Sequence, residues 1–237
     1  MTRVLDSLLS LIYPVECAGC GNSVEASELG AACEDCWSST RIFHRDEFLC
    51  VRCGAYLGQG VGNLAECGRC TEHFYDAAYA LGIYEKALAA SILRLKHLPN
   101  FPKHLRTTCI QRIRDLNVKT DVIVPLPLSK KRRIERGFNQ AEVIARVVAD
   151  IIGSKVETDV LLRKLHTSRN RAMMDRKGRE LSVRNAFDVK DASKISGKAV
   201  LIIDDVFTTG ATASSCAKVL KKNGAASVSI FTLARAV

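Results

Sequence analysis

Apolar and polar positions alternate along this chain in two distinct periods, separated by a stretch with neither. Val4, Leu5, Leu8, Leu9 and Ile12 fall at helical spacing ahead of Pro14, which predicts a short helix over residues 1–13. It is too short to cross a bilayer, and no small-residue cleavage site precedes Cys17, so neither a membrane span nor a signal peptide is expected. Over residues 14–73 the periodicity gives way to cysteines. Beyond it, Ala77–Tyr84 reads as a strand and Ala87–Leu95 as a helix, broken by Pro99, Asn100 and Pro102. Lys103–Leu116 reads as a basic amphipathic helix, Val122–Val124 as a strand, and the stretch from Asn139 to Ile152 as a helix with Asn139 as its cap. Val200-Leu201-Ile202-Ile203 is a run of four β-favouring residues, the mark of a parallel strand buried on both faces. A helix over 211–222, a turn at Asn223-Gly224 and a last strand over Val228–Leu233 follow.

Strands alternating with helices predict an α/β domain over residues 74–237, with a parallel sheet of five to six strands flanked by helices and Val200–Asp204 at its centre. A small Cys-rich module over 14–73 precedes it.

That module holds eight of the chain's ten cysteines, in four Cys-x-x-Cys pairs: Cys17/Cys20, Cys33/Cys36, Cys50/Cys53 and Cys67/Cys70, with gaps of 12, 13 and 13 residues. Two such turns supply the four thiolates of a tetrahedral zinc site. Gly21 and Gly54 follow pairs where a knuckle turn calls for positive φ, and Gly68 lies inside the fourth pair. Disulfides would need an oxidising compartment, and with no export signal the expected location is the cytoplasm. Two structural Zn²⁺ ions are therefore expected, in a double zinc ribbon. The spacing admits sequential pairing of neighbouring turns and an interleaved one. A closed four-thiolate site has no open position for catalysis, so the zinc contributes folding energy. Cys109 and Cys216 stand alone in helical segments, as buried small hydrophobes.

Charge is unevenly shared. Residues 1–75 carry five Arg, no Lys and ten Asp or Glu, a net of −5, which leaves +15 for residues 76–237 out of the overall +10. An anionic ligand, whether phosphorylated sugar or nucleic acid, is expected on the second part.

The sharpest chemical signal follows the buried strand: Asp204-Asp205-Val206-Phe207-Thr208-Thr209-Gly210-Ala211-Thr212. Backbone N–H groups and the hydroxyls of Thr208, Thr209 and Thr212 suit a phosphate, and the following helix points its positive end at the same place. Gly210 allows close backbone approach. Asp204 and Asp205 can accept hydrogen bonds from vicinal sugar hydroxyls. The Walker and dinucleotide-binding glycine patterns are both absent.

This segment resembles the phosphoribosyl-pyrophosphate loop of type I phosphoribosyltransferases. With the four cysteine pairs, Pro125-Leu126-Pro127-Leu128 and Arg136-Gly137-Phe138-Asn139-Gln140 in that order, the chain is similar to the ComF family, competence-associated phosphoribosyltransferase-like proteins. The resemblance implies binding of phosphoribosyl pyrophosphate with Mg²⁺, with Asp204 and Asp205 as catalytic residues and Thr208, Thr209, Gly210, Ala211 and Thr212 on phosphate. It also implies that Pro127, Leu128 and Ser129 cradle pyrophosphate, and that a competence helicase is a partner. The chain departs from the family at Ser129, where His is usual, and at Arg171, Met174 and Ser182 in the mobile stretch, where only Arg179 is kept.

Lys130–Arg136 has a net charge of +4. By itself this run reads as a solvated loop; beside the phosphate motifs, Arg132 and Arg136 are its charge partners for phosphate. Lys96 has two equal readings, a cation at a helix C-terminus and a phosphate contact. Residues 163–184, net +6 and without an aromatic residue, fall where this fold class carries a mobile hood. Three functions follow: a phosphoribosyltransferase acting on an acceptor the sequence does not name, a sensor that binds without turnover, and a single-stranded-DNA factor of natural transformation.

Overall fold

The computed structural model describes residues 15–45, 47–57, 67, 70, 73–164 and 186–236. The expected helix over 1–13, Gly68 and most of the hood stretch, including Arg171, Met174, Arg179 and Ser182, lie outside the described residues.

A five-stranded sheet in the order β1-β7-β6-β2-β3 forms the body, and every pairing is parallel. Its strands are β1 (Ala77–Ile83), β2 (Val122–Pro125), β3 (Lys155–Val156), β6 (Ala199–Phe207) and β7 (Ser227–Arg235). The middle strand β6 is the apolar run that the sequence singles out: Val200, Leu201, Ile202 and Ile203 are each at most 2% exposed. Burial on both faces explains the absence of alternation. The strand also continues past the carboxylate pair to Phe207, further than expected, because β7 pairs with it through Val206↔Ala234 and Phe207↔Arg235. On the other side β2 stops at Pro125, opposite Ile203. From Asp204 onward β6 therefore has a neighbour on one edge only. A two-stranded antiparallel hairpin, β4 (Leu161–Arg163) with β5 (Phe187–Val189), is an addition that the sequence did not announce.

Helices cover the two faces. Preceded by α1 (Glu34–Ser38) in the Cys-rich module, α2 (Lys86–Leu95), α3 (Lys103–Leu116) and α5 (Gln140–Ile152) pack through Leu88, Ile92, Leu105, Ile144 and Val148 on Leu201 and Ile203. On the opposite face α6 (Ala211–Lys222) sets Cys216, Ala217 and Leu220 against Val200, Ile202 and Ile230. The basic run Lys130–Arg136 is a helix, α4, rather than a loop. Ser129 caps it by accepting from the Arg132 N–H, and Gly137 ends it at φ 75°.

The Cys-rich module embraces the β1 side of this sheet. Residues between its two halves pair with the free edge of β1: Phe43 N–H donates to Leu81 C=O at 2.9 Å and Ile83 N–H to Arg41 C=O at 2.9 Å. This covers an edge that would otherwise offer unpaired backbone groups. Arg112 of α3, 4% exposed, fastens the join by donating to the carbonyls of Ala80 at 3.2 Å and His44 at 3.3 Å. The first half (Cys17, Val24, Cys33, Trp37) joins the core on the α2–α3 face, and the second (Cys50, Cys53, Cys70) joins the core on the α6 face.

Candidate functional site

The cysteines resolve the pairing left open by their spacing. Cys17, Cys20, Cys33 and Cys36 form one cluster, and Cys50, Cys53, Cys67 and Cys70 the other, so the arrangement is sequential. Sulfur separations are 3.6 Å for Cys17–Cys36, 3.5 Å for Cys20–Cys33, 3.6 Å for Cys50–Cys70 and 3.5 Å for Cys53–Cys67. A tetrahedral zinc site with Zn–S bonds of 2.3 Å has edges of about 3.8 Å, which these four nearly match, while Cys67–Cys70 is shorter at 3.1 Å. The knuckle glycines adopt the positive φ expected of them, 79° at Gly21 and 67° at Gly54. Burial opposes the thiolate at Cys17 and Cys50, yet N–H donors, Gly19 to Cys17 at 3.4 Å and Cys67 to Cys50 at 3.3 Å among them, outweigh it and bring both thiols down to about 6. Both clusters are structural zinc sites. Cys109 and Cys216 are fully buried, away from either.

The second site lies at the C-terminal ends of β6 and β2, where ligands bind in open α/β sheets. Strand alternation sends neighbouring side chains to opposite faces, and here it divides the two carboxylates. Asp204 lines an open cleft on the α6 face together with Leu126, Thr208, Gly210, Thr212 and Thr232. Asp205, 8% exposed, turns to the other face. There it meets Lys96 Nζ at 3.5 Å and accepts from Gln140 Nε2 at 3.3 Å, while Gln140 Oε1 accepts from Arg136 Nη1 at 2.7 Å. Lys96 caps the end of α2, as read, and also reaches the site. Arg136 reaches it through Gln140. Arg132 is exposed on α4, and Pro127, Leu128 and Ser129 form the half-buried turn between β2 and α4.

Thr208, Thr209 and Ala211 are exposed, Thr212 is half-buried and Gly210 is buried. Gly210, at φ 74°, is the N-cap of α6. The first N–H groups of this 12-residue helix have no intrahelical acceptor and open toward the loop. Asn139 is the predicted cap of α5, accepting from Ala141 N–H at 3.1 Å, and its Nδ2 also donates to Leu126 C=O at 3.1 Å. It thereby ties the start of α5 to the turn after β2. Gln140 carries a role the sequence reading did not give it. It lies four residues before Ile144 and eight before Val148, a polar side chain in the apolar stripe of α5, and that is the signal which marks it.

Asp204 is pushed up to about 7, first by burial and then by the charge of Asp205. A carboxyl whose folded pKa lies above its unfolded value binds its proton more tightly when folded. Its contribution favours folding at low pH and is lost as pH rises from about 4 to about 7. Asp204→Asn is therefore expected to be more stable than the parent at pH 8 by on the order of 2 kcal/mol, with a smaller gain at pH 5. Thermal melts at the two pH values check this; an equal gain at both would remove the titration from the explanation.

Comparison with known proteins follows the same division of the chain. Residues 8–71 match the double zinc ribbon domain and residues 91–236 the phosphoribosyl transferase domain. Competence protein F of Haemophilus influenzae is 26% identical over 234 residues, covering 94% of this chain and 98% of the relative. The DNA utilization protein YhgH of Escherichia coli (strain K12) is 26% identical over 212 residues, covering 86% of this chain and 89% of the relative. Among solved structures, the allosteric regulatory enzyme of purine biosynthesis aligns with a TM-score of 0.37 at 21% identity, covering 61% of this chain and 25% of that one. A phosphoribosyl transferase domain that takes up most of the chain, behind a double zinc ribbon, makes this protein a member of the phosphoribosyl transferase domain family, similar over nearly its full length to the relative named competence protein F.

Proposed function

We propose that the protein binds phosphoribosyl pyrophosphate with Mg²⁺ and transfers its phosphoribosyl group to an acceptor. The observation that carries this reading is one cleft that joins the Asp204 carboxylate, the Thr208–Thr212 loop and the N-terminus of a 12-residue helix. The loop N–H groups and threonine hydroxyls would hold the phosphate monoester, and Asp204 the ribose hydroxyls. The turn Pro127–Ser129, with Arg136 behind it, would receive pyrophosphate. Breaking the anomeric bond leaves positive charge on the ribose ring and negative charge on pyrophosphate. Asp205, on the opposite face of β6, is tied to Lys96 and Gln140, and Gln140 in turn holds Arg136, which would offer positive charge toward the leaving group. The donors facing the cleft are carboxylate and hydroxyl oxygens, a set that fits Mg²⁺. Magnesium, when bound, would neutralise charge on the pyrophosphate. Thiolate zinc sites suit a reducing cytoplasm, where we place the protein.

Calorimetric titration of the zinc-loaded protein with phosphoribosyl pyrophosphate and Mg²⁺ tests the reading. Binding is expected, and the double variant Asp204→Asn with Asp205→Asn should weaken it by about tenfold or more through loss of charge-assisted hydrogen bonds. Unchanged binding by the variant would move the ligand elsewhere. A second reading draws on the exposed cations Lys130, Lys131, Arg132 and Arg133 of α4 and on the relative named for DNA utilization. On that reading the site takes up single-stranded DNA. Salt-dependent oligonucleotide binding that phosphoribosyl pyrophosphate displaces would favour it.

A further inference from the structure

Tyr75 is completely buried, and its hydroxyl has no hydrogen-bond partner among the described residues. Native proteins seldom leave such a group unsatisfied. Its position gives the orphan a meaning. The Tyr75 ring stacks on His73 at 4.8 Å and meets Phe207 edge-on at 6.0 Å. A β-carbon placed on Gly210 would lie 2.8 Å from Tyr75 Oη and 3.4 Å from His73 Cε1. The hydroxyl thus presses against the one residue of the phosphate loop that turns through positive φ into α6.

The neighbours of the ring are themselves anchored. Phe74 N–H donates to Ser214 Oγ at 3.1 Å, in the first turn of α6. From the second zinc ribbon, Arg52 Nη2 donates to His73 C=O at 2.9 Å, and the Cys53 carbonyl accepts from Arg235, whose guanidinium lies 4.9 Å from the centre of the Phe207 ring. Completely buried, the hydroxyl does not reach water. Burial holds the phenol well above its usual range, so it stays a donor.

We propose that Tyr75 is a positioning residue of the phosphate loop: its hydroxyl, without an acceptor among the described residues, gains one at Gly210 when a phosphate monoester seats on the loop. This inference rests on the phosphoribosyl reading given above. The ligand-bound loop recovers a hydrogen bond that the free loop lacks, and that difference favours binding. Pyrophosphate, received by the turn after β2, gains nothing from it.

The test is Tyr75→Phe, which removes the oxygen and keeps the ring. Zinc content and thermal melting of the free protein are measured beside calorimetric affinities for ribose 5-phosphate, phosphoribosyl pyrophosphate with Mg²⁺, and pyrophosphate. The variant should keep its zinc and melt at the same or a higher temperature, because the oxygen it loses was unsatisfied. Affinity for ribose 5-phosphate and phosphoribosyl pyrophosphate should fall by about five- to tenfold, the worth of one hydrogen bond to the loop backbone, with pyrophosphate unchanged. Opposite signs in stability and affinity are the signature. A lower melting temperature would show a partner in the free protein, and equal ribose 5-phosphate affinity would show none in the complex; either overturns the proposal. Should the parent bind neither ribose 5-phosphate nor phosphoribosyl pyrophosphate, the phosphoribosyl reading falls and this inference with it. Loss of affinity for all three ligands alike would mean a general defect and also count against it.

Discussion

Stripping both zinc ions with a strong chelator is expected to unfold the ribbons and to weaken the sheet they embrace. Each cluster draws together turns that have little apolar material of their own. In the first half, Val24, Ala31, Ala32 and Trp37 are the buried apolar residues beyond the cysteines, few enough that their place in the main core is expected to depend on the metal. Structural zinc contributes about 10–16 kcal/mol to small domains of this kind, as much as the whole stability of an ordinary protein. The chain carries its own reporter. Trp37 is the only tryptophan, 6% exposed, with its indole N–H on Leu29 C=O at 3.0 Å and its ring 4.5 Å from that of His104 on α3. Chelation should shift its emission to the red as it enters water. It should also lower the melting temperature by about 10 °C or more, since residues 41–43 leave the edge of β1 and both cores lose cover. Emission that stays put while two zinc ions per chain are released would show the first ribbon to be held by packing alone.

Gly210→Val should abolish phosphate binding while leaving the sheet intact. Two costs add at this position. A side chain at φ 74° is strained, more so when β-branched. The new β-carbon would also lie 2.7 Å from Phe207 Cζ and 2.8 Å from Tyr75 Oη, both on buried rings. The loop must move, and the helix N-terminus and threonine hydroxyls it aims move with it. Affinity for ribose 5-phosphate is expected to drop by about a hundredfold or more, as preorganised donors lose their alignment. Far-ultraviolet circular dichroism should stay native, because β6 and α6 retain their own pairing and packing. Calorimetry beside the parent decides the matter: near-parent affinity in a folded variant would mean that the loop is not the phosphate site.

Much of this arrangement was legible from local signals. The helices over 103–116 and 211–222 begin and end where they were read, because Pro102 and the Asn223-Gly224 turn punctuate them. Asn139 caps α5 as its side chain chemistry suggested. What stayed hidden depended on residues far apart in sequence. Asp204 and Asp205 looked like the end of a strand, but β7 carries β6 on to Phe207. Four cations in a row looked like a solvated loop, although Ser129 and Gly137 flank them as a helix cap and stop. The two carboxylates were legible as a pair, and the cleft on one side of them with the Lys96–Asp205–Gln140–Arg136 chain on the other was not, since four separate elements supply that chain. Tyr75 gave no signal at all; its meaning comes from lying against Gly210.

The placement of β1 carries a consequence for how this protein is made. Its neighbour in the main sheet is β7, in a register that joins Ala77 to Ser229, roughly 150 residues further on. On a ribosome the cysteine knuckles emerge before the strands of the sheet and can take up metal at once. The strand that follows them then has no partner until nearly all the described chain has been synthesised, and ring closure over that span is slow. Residues 41–43, which pair with β1 from the other side, are the early-made element that can shelter it during the wait. Metal loading of the nascent chain would then act as a built-in chaperone for the sheet, guarding an exposed strand against neighbouring polypeptides before its permanent neighbour arrives.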